Sequence, residues 1–264
     1  MSRNFELLSE AGRMHELVQQ QIEQTHVHVS ASATATAAAP RLVEPIEEPF
    51  DPSAALEMSD AVRDEVGKLV QKLFLAQQGP KRVVFAATEA GTGCSWMTAR
   101  VAESLAAQGR GSVCVVDCNL RAPGVHQQFG SENHHGLSDA LNGTGPIRDY
   151  TTRWSQHLWY VSCGAAAEAG QAMLGSDRMR QRLAELKTVF DFVLIDAAPL
   201  NTCNDAVVLG GLTDGVVLVL KANTSRRETA RRALHELQSA NVRTLGAVLN
   251  QRTFPIPEKI YRKL

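Results

Sequence analysis

The stretch from Thr88 to Ser95 carries the residue types best suited to holding a phosphate group. It reads Thr-Glu-Ala-Gly-Thr-Gly-Cys-Ser and joins an apolar run at 83–87 to a helical pattern over 96–105. A strand, a glycine-rich turn and a helix in this order point successive backbone N–H groups and a helix N-terminus at one anion. We therefore predict a phosphate-binding loop whose nucleotide-contacting positions are Thr88, Gly91, Thr92, Gly93, Cys94, Ser95 and Trp96.

Two positions of this loop depart from the usual pattern G-x-x-x-x-G-K-[ST]. Thr88 stands at the first glycine, and Cys94 stands at the lysine. A thiol supplies no fixed positive charge. The loop therefore keeps its backbone donors but lacks the one charged side chain that would contact the phosphates.

Polar side chains end three further apolar runs, at Asp117, Asp196 and Asn250. In open α/β sheets, ligands bind outside the carboxyl ends of the strands, where these side chains would lie. We predict that Ser95, Asp117 and Asp196 hold Mg²⁺, directly or through water. Either carboxylate alone could instead cap a helix or a turn, but two of them beside a glycine-rich loop favour the metal site.

Apolar runs alternate with helical patterns along most of the chain. Continuous Val, Leu and Ile runs of this kind indicate parallel strands that are covered on both faces. We predict an α/β fold with a doubly wound, mostly parallel sheet between two helical layers. The predicted strands are 83–87, 112–117, 158–162, 192–196, 215–220 and 244–250, and the predicted helices are 54–74, 96–105, 136–141, 179–189 and 226–240.

Composition shifts sharply near the N-terminus. Residues 5–24 have helical spacing of apolar side chains, and residues 25–51 are rich in Ala, Ser, Thr and Pro. We therefore predict an amphipathic helix and linker over 1–52 and one globular domain over 53–264. The helix could dock on a partner or be a weakly ordered tail.

Charge and apolar content exclude several function classes. The formal net charge of −1 gives no electrostatic reason to expect nucleic acid as a partner. No apolar run approaches the length of a membrane span, which predicts a cytoplasmic protein. The five cysteines form no C-x-x-C pair and are expected to be reduced, and the histidine pairs at 26/28 and 134/135 lack companion ligands for a metal.

Several stretches together resemble the bacterial tyrosine autokinases of capsule and exopolysaccharide synthesis, which are related to the MinD and ParA ATPases. Asp117-Cys118-Asn119-Leu120-Arg121-Ala122-Pro123 is similar to the second Walker motif D-x-D-L-R-x-P of that family. The resemblance covers roughly 53–254 and implies a P-loop NTPase-like three-layer sandwich. Its other stretches are Gly136–Gly143 (G-L-S-D-x-L-x-G), Phe190–Leu200 (the Walker B run) and Gly246–Asn250.

The resemblance also assigns roles to individual residues. It implies catalytic roles for Asp117, Asp196 and Arg121, and it makes Asn250 the counterpart of the asparagine that reads adenine. Arg252 is a further nucleotide-binding candidate. Together with Arg100 and Arg121, it is a candidate replacement for the missing lysine.

Several departures from the family pattern bear on activity. Cys94 replaces the lysine, Trp96 replaces a small hydroxyl residue, and Asn119 replaces the second carboxylate of D-x-D. The Glu65 helix has Lys68 and Gln71 where the family has the two arginines of its ring interface. The tyrosine cluster of the C-terminal tail is reduced to Tyr261.

Two functions follow. In the first, the chain is a degenerate relative that binds ATP or ADP with Mg²⁺, has weak or no catalysis and regulates a membrane-bound polysaccharide co-polymerase or export machinery. In the second, it is an active ATP-dependent tyrosine autokinase or ATPase with a substitute cation. A homo-oligomer is compatible with both, although a ring is not expected. The chain would lie in the cytoplasm, with peripheral contact at the inner face of the membrane.

Overall fold

Seven strands form one sheet in the computed structural model, which describes residues 58–76, 78–165 and 172–251. The strands are β1 Arg82–Ala87, β2 Val113–Asp117, β3 Thr152–Arg153, β4 Leu158–Val161, β5 Phe192–Ala197, β6 Gly215–Lys221 and β7 Thr244–Asn250. The helices are α1 Asp60–Phe74, α2 Cys94–Ala107, α3 Val125–Gln128, α4 Leu137–Asn142, α5 Asp177–Val189, α6 Asp205–Gly211 and α7 Arg227–Ser239, with a 3₁₀ turn at Ile147–Tyr150.

The strand order is β3-β4-β2-β5-β1-β6-β7, and all neighbours pair in parallel except β3 with β4. This confirms the predicted α/β fold with a mostly parallel sheet. Strand β1 lies between β5 and β6, so the loop that follows it leaves from the interior of the sheet. Asp117 and Asp196 are register partners on β2 and β5, which places both carboxylates at the same edge.

The two faces of the sheet carry separate apolar clusters. One cluster includes Phe74 of α1 and Leu105 of α2, and the other includes Leu186 of α5, Leu209 of α6 and Leu237 of α7. Strands β1, β2, β5 and β6 contribute to both clusters because successive side chains point to opposite faces. The sheet is therefore the middle layer of three.

Two aspartates stabilise the edge of the sheet where the parallel strands begin. Asp214, just before β6, accepts hydrogen bonds from the backbone N–H groups of Lys81 (2.7 Å) and Arg82 (2.9 Å) and pairs with the Arg82 guanidinium at 2.7 Å. Asp191, just before β5, accepts from the backbone N–H of Ser112 at 2.8 Å and from its hydroxyl at 3.0 Å. Each carboxylate ties the starts of two neighbouring strands together.

Some element boundaries differ from the prediction. Helix α1 begins at Asp60 rather than at 54, because Ser59 has the extended conformation of an N-cap residue (φ −61°, ψ 150°). Helix α2 begins at Cys94 rather than at 96, because the last loop residues already belong to its first turn. The predicted elements at 5–24 and 25–51, together with Arg252 and Tyr261, lie outside the described residues.

Candidate nucleotide-binding site

The loop between β1 and α2 contains two glycines in the left-handed region, Gly91 and Gly93, both with φ +78°. A Cβ at Gly93 would lie 2.6 Å from Nδ2 of Asn250, so side-chain crowding as well as backbone conformation requires glycine there. The helix continues directly from this residue, since the N–H of Met97 donates to the carbonyl of Gly93 at 2.9 Å. The loop therefore has the strand–turn–helix geometry that anion binding needs.

Two side chains from neighbouring segments hold the loop in place. Nδ2 of Asn250, at the end of β7, donates to the carbonyl of Thr92 at 2.8 Å. The Ser225 hydroxyl, in the turn before α7, donates to Oε1 of Glu89 at 2.8 Å. Asn250 was predicted to read adenine, and in this structure its amide contacts the loop itself.

Ser95, Asp117 and Asp196 meet at the carboxyl edge of the sheet. The Ser95 hydroxyl donates a short hydrogen bond to Oδ2 of Asp196. Asp117 accepts from the backbone N–H groups of Asn119 at 3.1 Å and of Gly124 and Val125 at 3.0 Å each. Asp117 thus also orders the turn that follows β2, which is the alternative capping role that its position in the sequence allowed.

Both carboxyl groups are completely buried. Burial raises the pKa of Asp117, and burial together with the charge of Asp117 raises the pKa of Asp196. Oδ1 of Asp196 has no hydrogen-bond partner within the part of the chain that the structure describes. An unpartnered buried carboxylate oxygen of this kind favours either a bound cation or a proton.

The donor set suits Mg²⁺ bound together with phosphates. Mg²⁺ is usually held by one or two carboxylates plus substrate phosphate oxygens and water, rather than by a complete protein cage. The Ser95 hydroxyl and the unpartnered Asp196 oxygen are hard oxygen ligands of this type. Across residues 58–76, 78–165 and 172–251, no group of three or more His, Cys, Asp or Glu side chains could hold a metal without such help.

The Cys94 thiol lies against the Asp196 carboxylate. Burial raises the pKa of this thiol well above its usual range, and the charge of Asp196 raises it further. The side chain at the lysine position is therefore a neutral thiol beside a buried carboxylate. All five cysteines are free, as expected for reduced thiols.

The cations proposed to replace the lysine have different surroundings. Arg100 is fully buried within α2, where its guanidinium pairs with Glu103 at 2.8 Å and donates to the carbonyl of Gln128 at 3.3 Å. Arg121 is 47% exposed and lies 3.9 Å from Oδ2 of Asp205. Of the two arginines, Arg121 is therefore the one whose guanidinium is more accessible to a bound phosphate.

Trp96, a predicted nucleotide contact in the first turn of α2, is partly buried and packs against the apolar cluster beneath α1 and α2. Thr88 and Thr92 are buried within the loop, and their hydroxyls have no hydrogen-bond partner among the described residues. Of the predicted loop positions, Cys94 and Ser95 contact Asp196, while Trp96 fills space against the core.

Sequence reasoning did not identify Glu89 and Ser225 as parts of the site. Glu89 is an ordinary loop residue by type, and Ser225 follows a different strand. Their 2.8 Å contact depends on β1 and β6 being neighbours. The sequence does not show that β1 and β6, which both end at this edge of the sheet, are neighbours.

No protein-family model matches the chain. Tyrosine-protein kinase YwqD of Bacillus subtilis is 30% identical over 171 residues, which span 64% of this chain and 72% of that protein. A putative tyrosine-protein kinase, EpsB of Ralstonia nicotianae, is 28% identical over 177 residues. That match spans 67% of this chain but only 23% of the relative, so the chain corresponds to about a quarter of EpsB.

Two solved structures show the same fold. The VpsO kinase domain has a TM-score of 0.66 at 26% identity, over 73% of this chain and 98% of that chain. A ParA family ATPase from Chlorobium tepidum has a TM-score of 0.54 at 17% identity, over 65% of this chain and 74% of that chain, a likeness of fold alone. The match to YwqD, at 30% identity over 72% of that protein, shows that the chain belongs to the family of bacterial tyrosine-protein kinases.

Proposed function

We propose that this chain is a degenerate member of its family, a nucleotide-binding regulatory module with weak or no phosphoryl transfer. The observation that carries the proposal is the neutral Cys94 thiol, which occupies the lysine position and lies beside Asp196. A catalytic loop needs a fixed positive charge where negative charge develops on the transferred phosphoryl group. At this position the chain offers none.

The size of this loss supports a regulatory role. Removing one preorganised donor to a developing charge costs about 3–4 kcal/mol, or roughly 10²–10³ in rate. Losing a full cation is expected to cost more, because phosphoryl transfer depends mostly on positioning and electrostatic stabilisation. Nucleotide binding is less affected, since the backbone N–H groups of the loop remain.

ATP or ADP would be held by the loop residues from Thr88 to Ser95, with Mg²⁺ held by Ser95, Asp117 and Asp196. When bound, Mg²⁺ would supply the positive charge that the side chain at position 94 does not. Asn250 would continue to support the loop through the Thr92 carbonyl. In this arrangement nucleotide affinity depends strongly on the metal.

The family relationship also supports a proposed setting. We assign the chain to the regulation of capsule or exopolysaccharide synthesis, with a membrane-bound co-polymerase or export complex as its partner. The proposed location is the cytoplasmic side of the membrane. Within the described ranges no helix is long and apolar enough to cross a bilayer.

An active autokinase is the second candidate. Arg121 favours it, because its guanidinium is half-exposed at the carboxyl edge and its contact with Asp205 is a long one, 3.9 Å. To turn towards a bound phosphate, this side chain would have to leave only Asp205 and the Cys203 thiol. This mechanism requires Arg121 to supply the charge that the lysine normally provides.

A titration with labelled ATP and ADP, with and without Mg²⁺, followed by hydrolysis and autophosphorylation assays, separates the candidates. The regulatory proposal expects Mg²⁺-dependent binding with little or no turnover. Arg121→Gln should then leave the low turnover unchanged, and Arg110→Gln, at an exposed position in the turn before β2, is the matched control. Turnover that is substantial in the wild type and lost only in Arg121→Gln would establish the kinase instead.

A further inference from the structure

The start of α7 concentrates positive charge on the surface. Arg226, Arg227, Arg231 and Arg232 are all exposed. None of them forms an ion pair with a carboxylate anywhere in the described residues. Because the whole chain has a net charge of only −1, this patch is a local concentration of charge rather than a general property of the protein.

The first arginines of this group oppose the helix that carries them. Arg226 occupies the N-cap position of α7, and its side chain makes no capping hydrogen bond. Cations at a helix N-terminus oppose the helix dipole. Arg227 and Arg231 are four residues apart on one face, so their like charges repel. Charges that oppose the helix dipole and repel one another in this way indicate that the arginines have a role other than stabilising the fold.

An exposed apolar residue lies near the end of β7, at the edge of the sheet where α7 begins. Leu249, near the end of β7, is 56% exposed. Its neighbour Asn250 accepts a hydrogen bond from the N–H of Ala222 at 2.9 Å, which joins the end of β7 to the turn that leads into α7. The four arginines and Leu249, called here the arginine surface, therefore lie at the same edge of the sheet as the phosphate-binding loop.

We propose that the arginine surface binds the anionic headgroups of a phospholipid membrane. The charge complementarity is direct, because the arginines lack protein carboxylates and lipid phosphates would neutralise them. A specific protein partner would need an apolar interface core, whereas this surface offers a single exposed leucine. Exposed arginines and one leucine at the same edge of the sheet instead match a surface that rests on a bilayer, with the leucine entering the headgroup region.

Co-sedimentation of the full chain with phosphatidylglycerol vesicles, and with phosphatidylcholine vesicles for comparison, tests the proposal. We expect binding to the anionic vesicles only, weakening as salt is raised. Each cation at such a surface contributes about fivefold in affinity, so the Arg227→Gln/Arg231→Gln variant should bind about 30-fold more weakly. No nucleotide is added, so the result is independent of the proposed function.

The control is Arg110→Gln/Arg148→Gln, which makes the same charge change at exposed positions in the turn before β2 and in the 3₁₀ turn before β3. It should bind like the wild type, and unchanged thermal melts of both variants would show that folding is intact. Equal weakening of both variants would indicate a non-specific charge effect and overturn the proposal. Wild-type affinity in Arg227→Gln/Arg231→Gln, or capture of an acidic protein without vesicle binding, would overturn it as well.

Discussion

At the residue scale, the site depends on what side chain faces Asp196 from position 94. A lysine there would place an ammonium group beside the buried carboxylate and towards the loop. We expect Cys94→Lys to raise affinity for ATP with Mg²⁺ about 10- to 100-fold, because a charge-assisted contact to phosphate is added. Isothermal titration calorimetry would measure binding in every variant.

Cys94→Met is the matched control, since it fills the position without charge and should not raise affinity. If Cys94→Lys gives no gain even when Trp96→Thr is combined with it, the loop has become purely structural. An equal gain in Cys94→Met would show that size rather than charge limits binding.

At the same scale, the proposed metal dependence rests on Asp196. Asp196→Asn keeps the shape of the side chain and its contact with Ser95 but removes the charge that Mg²⁺ requires. We expect Mg²⁺ to have no remaining effect on nucleotide affinity in this variant, measured by parallel titrations with and without the metal. Asp177→Asn, at an exposed ion pair on α5, is the control and should retain the Mg²⁺ effect. Undiminished Mg²⁺ dependence in Asp196→Asn would contradict the metal assignment.

Many of these residues could be predicted because their roles depend on local sequence. The succession of a strand, a turn and a helix predicts the roles of Gly91, Gly93 and Ser95. The apolar runs that end in a carboxylate predict the roles of Asp117 and Asp196. The Asn250–Thr92 and Ser225–Glu89 contacts could not be predicted, since each joins segments more than a hundred residues apart. Spacing within the sequence carries no information about such pairs.

At the scale of elements, Asp214 joins the starts of β1 and β6. Burial raises its pKa, but hydrogen bonds from the Arg82 side chain and from two backbone N–H groups lower it more, so the net pKa lies below its ordinary value. The stabilisation is therefore fully present above the unfolded pKa and is lost as pH falls through the folded pKa. We expect Asp214→Asn to lower the free energy of unfolding at neutral pH by about 1–3 kcal/mol.

Denaturant unfolding of both proteins across pH would measure this difference, which should shrink below the unfolded pKa of about 3.9. Asp177→Asn is the matched control, because Asp177 makes an exposed ion pair with Arg180 and such pairs contribute little. A stability gap that persists unchanged in acid would show that Asp214 acts by shape rather than by charge.

Most elements could be predicted from the sequence, but a few of the shorter ones could not. The apolar runs of β1, β5 and β6 were placed to within a residue or two, because several consecutive side chains are buried on both faces. Helix α6 was missed, since its Gly210-Gly211 pair indicates a helix end. The structure explains Gly210 by packing, because a Cβ there would lie 2.5 Å from Cγ1 of Val242.

At the scale of the whole molecule, the proposed function predicts little or no tyrosine phosphate. Residues 255–264 contain one tyrosine, Tyr261, and in the proposed function the loop has no lysine to support efficient transfer. Mass spectrometry of protein purified from its native host should find Tyr261 unmodified. Substantial phosphate at Tyr261 that disappears in Asp117→Ala would favour the active kinase.

At the same scale, we predict a monomer or a small oligomer rather than a ring. The exposed face of α1 carries Lys68 and Gln71 at the positions of the two family arginines. Glu65 is paired within the helix, 2.7 Å from Nζ of Lys68. Light scattering coupled to size-exclusion chromatography should therefore give a small assembly. A mass corresponding to a closed ring would refute this expectation.

The two contacts that hold the phosphate-binding loop have a thermodynamic consequence. Because Asn250 and Ser225 already fix the Thr92 carbonyl and the Glu89 carboxylate, the loop keeps its shape without help from a ligand. A nucleotide would thus lose little affinity to ordering the backbone, which costs about 1–2 kcal/mol for each residue that must be fixed. Under the proposed function, this preorganisation would offset part of the affinity lost with the lysine charge, and a loop with weak or no catalysis would still serve as a receptor for nucleotide.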